Sequence, residues 1–279
     1  MNKTQKPKLS GFRKKAAEGF LLGAVVISLF PWAITRWVVI PAVWLLLVLE
    51  LANVSSWHNK LWDRLPWRAR LLMDRPQCPG ASNRILPLFV VMTTGLAASM
   101  LWLYSSWQLL LVLLINAVFT DVWAQVGGML VKKRAVRRRL EPPKQFSPDS
   151  PNKTWVGVAS GLVGGALSGF VAAWVLVTFC GLGIPWFVYP LMLGGPIVVV
   201  LGDLYESRLK REVGIKDLSR FFGSHGGACD RLDGLASYLA TVALTIYALA
   251  CWPWWTWLLV AAWDAIVIRE LMRPRRHTT

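Results

Sequence analysis

The chain has 279 residues, of which 55% are hydrophobic, 17 are tryptophan and only 16% are charged, and its mean hydropathy is +0.45. These values exclude an ordinary soluble domain, in which about 25% of residues are charged, and point to a polytopic membrane protein. The net charge of +16 comes from basic residues spread through polar loops between apolar runs, which suits a membrane surface rich in anionic lipid and argues against nucleic acid as a partner.

In chain order, residues 20–34 and 37–51 are apolar runs broken by Thr35-Arg36. Together they are too long for one crossing of a hydrocarbon core ~30 Å thick, so a hairpin of two short spans is expected, with Arg36 snorkelling to the outer interface. The first apolar run lacks a small-residue cleavage site, so this span is expected to serve as the insertion signal. Residues 53–84 place Trp57, Leu61 and Leu65 at i, i+4 and i+8 among Lys60, Arg64, Arg68 and Arg70, the pattern of a helix lying in the interface. Further spans are expected at 85–104, 107–131, 155–180, 184–202, 234–251 and 253–269. The predicted fold is therefore all-α, a polytopic transmembrane helical bundle of about eight spans, with residues 1–83 forming an N-terminal membrane region ahead of a main membrane domain at 84–279.

With both termini in the cytoplasm, the segments facing it hold 30 of the 31 Lys and Arg residues, leaving only Arg36 outside. That asymmetry supports the hairpin, because a single first span would invert every later loop. The run Lys132 to Arg139 is read as an anchor to acidic head groups. Cys78, Cys180, Cys229 and Cys251 show no paired metal-ligand spacing. Cys180 and Cys251 both fall near predicted outer ends, which leaves room for a disulfide.

Two spans carry unusual residues. The one at 107–131 contains Asn116, Thr120, Asp121 and Gln125, the last three able to face one side. A carboxylate deep in a span costs ~2.5–3.5 kcal/mol on insertion scales, so Asp121 is expected to have a partner or a task. The span at 155–180 has Gly157, Gly161, Gly165 and Gly169 at strict four-residue spacing, a bare face on which another helix can pack closely.

The longest densely polar segment between two apolar spans is Gly202 to Gly234. It mixes Asp203, Asp217, Asp230 and Asp233 with six basic residues, a composition suited to phosphate chemistry, where carboxylates hold Mg²⁺ and basic groups neutralise charge. If the preceding span continues as a helix, Asp203, Ser207, Lys210 and Arg211 share one face. A helix starting near Asp230 would point Asp230 and Asp233 the same way. The glycines of Gly223-Ser224-His225-Gly226-Gly227 would let backbone N–H groups approach an anion. A solvated loop with incidental ion pairs has the same composition.

The order Ser207, Lys210-Arg211, Lys216-Asp217, His225-Gly226-Gly227, Asp230-Arg231-Leu232-Asp233 resembles the signature of the phosphatidate cytidylyltransferase family, the CDP-diacylglycerol synthases, with every fixed position at the right spacing. Ser150, Pro151, Lys153, Thr154 and Gly157 resemble a second family element, and Asp121, Ala124 and Gly128 partly match a third, in which Gln125 replaces a tyrosine. The departures inside the signature are Gly223-Ser224 for the usual Pro-Gly and Ala228 for a bulky aliphatic residue. The similarity covers residues 116 to 234.

The resemblance implies an integral membrane enzyme, its catalytic domain at 84–279, that condenses CTP with phosphatidate or a related anionic lipid to give CDP-diacylglycerol and pyrophosphate. It implies Mg²⁺, with room for a second cation and for a homodimer, and a bacterial inner membrane. On this basis Asp203, Asp230, Asp233 and Asp121 are the expected metal residues. Ser207, Lys210, Arg211, Lys216, Asp217 and Arg231 form the expected catalytic group, and Lys153, Thr154, His225, Gly226 and Gly227 are expected to bind substrate. Two rival readings remain at this point: a CTP-dependent lipid kinase of the polyprenol type, and a transporter of an anionic solute. A transporter should gather charges near the midplane on several helices, whereas the sequence offers only Asp121.

Overall fold

The computed structural model describes residues 107–148, 150–181, 183–213 and 229–251, with isolated positions elsewhere. Every extended element among the described residues is a helix: α1 (Trp107–Arg138), α2 (Trp155–Cys180), α3 (Val188–Val213) and α4 (Cys229–Cys251). The chain divides into compact units at 1–42 and 43–279, and all four helices belong to the second. The expected spans at 20–34, 37–51, 85–104 and 253–269, the interfacial segment at 53–84 and the boundary at residue 83 lie outside the described residues.

Three helices are long and apolar enough to cross a membrane, over Gln108–Arg138, Trp155–Cys180 and Val188–Arg208, and α4 contributes a shorter apolar stretch at Leu232–Ile246. The outward residues fit that setting. Val163, Leu167, Val171 and Trp174 on α2 and Leu193 and Ile197 on α3 are all more than half exposed. A helix apolar all round that presents such residues outward needs an apolar solvent.

The helix ends follow from local chemistry. Thr154 stands in extended conformation at the start of α2 and its Oγ1 accepts a hydrogen bond from Gly157 N–H at 3.1 Å, which satisfies one of the first-turn donors. Gly181 closes α2 in the left-handed region (φ 63°), its N–H donating to Leu176 O. α1 runs past the expected limit of 131 through the basic run and ends where Arg139 turns to φ 52°, just before Pro142-Pro143. Arg137 and Arg138 in its last turn face the negative end of the helix dipole. α3 likewise continues beyond 202, and α4 begins at Cys229, inside the polar segment.

α1 and α2 pack along the glycine face. The partner surface is a second four-residue series, Asn116, Thr120, Ala124 and Gly128, meeting Gly169, Gly165, Gly161 and Gly157 in antiparallel order. A Cβ at Gly161 would lie 2.8 Å from Thr120 O, and one at Gly157 would lie 2.8 Å from Ala124 O, so the backbones approach as closely as glycine permits. The sequence expectation that Thr120, Asp121 and Gln125 face one side is corrected here: Thr120 is fully buried against α2, while Gln125 is exposed.

α3 contains Pro196, which has no N–H to offer the carbonyl of Met192 one turn earlier. Asn116 Nδ2 supplies the missing donor, reaching Met192 O at 3.0 Å and Gly165 O at 3.0 Å, so one buried amide joins α1, α2 and α3. Nearby, Tyr238 Oη of α4 donates to Leu191 O at 3.0 Å. Around these bonds lies the core of Leu109, Val112, Leu113, Met192, Val199 and Val242. α3 and α4 then close together at two glycines: a Cβ on Gly202 would meet Asp233 O at 3.0 Å, and one on Gly234 would meet Val199 O at 2.8 Å.

Candidate active site

The two glycines of that crossing each stand beside an aspartate in sequence. Close contact of α3 with α4 at Gly202 and Gly234 therefore brings Asp203 near Asp233, each within electrostatic reach of the other and of Asp121 on α1. A third element delivers a cation. Between α1 and α2 the chain folds back as a short clip, in which Phe146 N–H donates to Lys153 O at 2.9 Å and Trp155 N–H to Lys144 O at 3.3 Å. The rings of Phe146 and Trp155 meet edge to face at 4.6 Å, and Lys132 Nζ donates to Asn152 O at 2.8 Å. Held in this way, Lys153 forms an ion pair with Asp203 Oδ2. Ser207 Oγ, one turn further along α3, donates to Asp203 Oδ1 at 3.3 Å, as the four-residue spacing predicts.

Asp203 thus has one oxygen on an ammonium and the other on a hydroxyl, and about a quarter of its side chain remains accessible. Asp233 is buried; Gly234 N–H donates to its Oδ1 at 2.7 Å, and the carboxyl of Glu206 stands close to it. Glu206 is completely buried and forms a 2.7 Å ion pair with Lys210. Sequence reasoning did not select Glu206. It precedes a selected serine and sits one turn after Gly202, so the α3–α4 contact was the signal that could have exposed it. Arg208, also unselected, is buried on the same helix.

Of the expected site residues, Asp121, Lys153, Asp203, Ser207, Lys210 and Asp233 fall into this network. Thr154 is buried and its hydroxyl serves the first turn of α2. Arg211 is exposed near the end of α3. Asp230 and Arg231 occupy the first turn of α4. Lys216, Asp217, His225, Gly226 and Gly227 lie outside the described residues. Cys180, considered for a disulfide, is a free and exposed thiol.

The carboxylates offer only oxygen donors, the kind a hard divalent cation such as Mg²⁺ takes. Among the described residues no three acidic, His or Cys side chains stand close enough to hold an ion by themselves. Mg²⁺, which commonly binds through one or two carboxylates plus substrate phosphates and water, does not need such a cage. The donor set therefore fits the ion in kind, with Asp203 as its accessible member.

A family model described as "Cytidylyltransferase family" matches residues 30–249. The chain belongs to the cytidylyltransferase family. The match begins well upstream of the stretch at 116–234 in which the sequence alone showed a resemblance. Relatives named phosphatidate cytidylyltransferase include those of Helicobacter pylori, 40% identical over 144 residues (50% of this chain and 47% of the relative), and Mycobacterium leprae, 37% identical over 137 residues (49% and 39%). A third, from Brucella abortus, is 38% identical over 125 residues (45% and 42%). In each case the aligned stretch spans less than half the length of the relative. Within the cytidylyltransferase family match lie all four helices that build the charged network, apart from the last two residues of α4.

Proposed function

We propose that this chain is an integral membrane nucleotidyltransferase that condenses CTP with phosphatidate, giving CDP-diacylglycerol and pyrophosphate. The observation that carries this reading is the convergence of Lys153 from one family element with Ser207, Lys210 and Asp233 from another, around Asp203, in one polar network. The names of the relatives supply the substrates. The site would face the cytoplasm, with both termini on that side, in a bacterial inner membrane; a homodimer and a second cation accompany the reading.

The lipid phosphate is already an anion, so no strong base is needed and most of the catalysis falls to positioning and charge neutralisation. An oxygen of the lipid phosphate attacks the α-phosphorus of CTP, the bond from that phosphorus to the bridging oxygen breaks, and pyrophosphate carries away the electron pair. Lys153 and Lys210 neutralise phosphate oxygens, joined by Arg211, Lys216 and Arg231. Ser207 fixes the rotamer of Asp203. His225, Gly226 and Gly227 would bind phosphate, and Thr154 holds the end of α2 from which Lys153 projects. Mg²⁺ would be held by Asp203 and Asp230, with Asp233, Asp217 and Asp121 near it, and would stabilise charge on the triphosphate.

The deciding experiment gives the purified protein phosphatidate, Mg²⁺ and CTP labelled at the α- or the γ-phosphate, and then extracts the lipid. The expected result is α-label in the lipid and γ-label in released pyrophosphate. Entry of γ-label into the lipid would establish a kinase instead, and absence of both labels would remove the enzyme reading.

A further inference from the structure

The side chain least expected in an apolar bundle is Glu206. A Glu–Lys pair at i, i+4 is ordinarily a surface feature contributing a few tenths of a kcal/mol, and its carboxylate stays in water. Here the carboxylate has no exposed surface while the lysine retains 13% of its own. Removing a carboxylate from water costs several kcal/mol unless its partners restore what is lost, so this placement requires a network around it. Groups able to restore what is lost stand on both sides: Lys210 Nζ at 2.7 Å, and the carboxyl of Asp233 of α4 close by.

The register explains why. Gly202 touches the backbone of Asp233, and Glu206, four residues on, extends the same face of α3. Lys210 is one turn further again, with its ammonium turned back onto Glu206. The charges therefore form a connected series, from Lys210 through Glu206 to Asp233, which faces the Lys153–Asp203 pair.

We infer that Glu206 is a positioning residue that holds the Lys210 ammonium beside the aspartate cluster, where it meets a substrate phosphate. Glu206 itself touches no substrate. It fixes one end of a flexible four-carbon side chain, and it ties that side chain to the α3–α4 crossing that sets Asp203 and Asp233. The inference rests on the proposed cytidylyl transfer for its activity readout, and on phosphate binding for a second, independent one.

The test uses the full-length protein in detergent with four variants: Glu206→Gln, Lys210→Gln, the two combined, and the charge swap E206K/K210E. Melting temperature, kcat and KM for CTP, and affinity for pyrophosphate by calorimetry are measured for each. A bond to a charged group lost from the site corresponds to roughly 10- to 100-fold in affinity. Glu206→Gln should therefore raise KM for CTP and the pyrophosphate dissociation constant by about tenfold, with kcat changed less. The combined variant should be no worse than Lys210→Gln alone within about twofold, because both remove the same contact. The swap should regain melting temperature while activity and pyrophosphate affinity stay low, which a merely structural ion pair would not produce.

Glu206→Gln within about twofold of wild type, multiplicative losses in the combined variant, or recovery of both stability and function in the swap would each overturn the inference. If wild type forms no CDP-lipid, the proposed reaction fails, and the pyrophosphate affinities of the same variants still decide the role of Glu206.

Discussion

Asp203 is the residue at which the two signature elements meet. Its carboxylate is paired with Lys153 from the clip before α2 and with Ser207 from its own helix, so a change there has separable consequences. Asp203→Asn keeps the shape and can still accept from Ser207, but it cannot balance the Lys153 ammonium or hold a divalent cation. We expect turnover to fall by roughly 100-fold or more, as when a charge-stabilising group is lost from an active site, with the protein remaining folded in detergent. Near-normal turnover would exclude Asp203 from the proposed metal-binding role. A second expectation separates binding from support at adjacent positions. Lys153→Gln should raise KM for CTP, whereas Thr154→Ala, which removes an N-cap, should cost about 1 kcal/mol of stability. Kinetics and thermal unfolding of the two variants, measured together, check it.

At the scale of the element, the four-residue glycine series in α2 was legible in the sequence, but its partner was not. Asn116, Thr120, Ala124 and Gly128 have no common chemistry; what unites them is that each meets a glycine. The continuation of α3 past Gly202 and the start of α4 near Asp230 were also legible, because periodicity and polar spacing agree there. By contrast, the clip that aims Lys153 depends on backbone pairing between Lys144–Phe146 and Lys153–Trp155, which leaves no periodic trace. Asn116 was visible as a polar residue in a span, yet its role depends on Pro196, 80 positions later in the chain, through the carbonyl that Pro196 leaves without a donor. Asn116→Leu should therefore destabilise the bundle by about 1–3 kcal/mol, the cost of an unpaired buried acceptor. Gly165→Val should be worse tolerated than Gly183→Val, since a Cβ at Gly165 lies 2.0 Å from Thr120 Oγ1 and 3.0 Å from its Cα, while nothing lies within 4 Å at Gly183. Thermal unfolding in detergent ranks them, and equal stability for the two glycine variants would contradict the close helix contact.

At the scale of the whole molecule, the arrangement of helix ends turns the charge asymmetry into a test of orientation. The end of α1, the clip with Lys153 and the start of α2 lie together, and the end of α2 at Cys180 is 26 residues away along one helix. At ~1.5 Å per residue that helix is about 39 Å long, more than a hydrocarbon core of ~30 Å, so its two ends belong on opposite faces. Lys132 to Arg139 put six basic residues at the first end, while the last turn of α2 has none. Positive residues are retained on the cytoplasmic side, so we expect Val136, 81% exposed, to lie inside and Cys180 outside. With the other cysteines replaced, native Cys180 should react with an impermeant thiol reagent in intact cells. Val136→Cys in a cysteine-free background should react only after the cells are broken. Because the same orientation would carry Lys153 and Asp203 to the face where nucleoside triphosphates are found, the opposite labelling pattern would count against the proposed use of CTP.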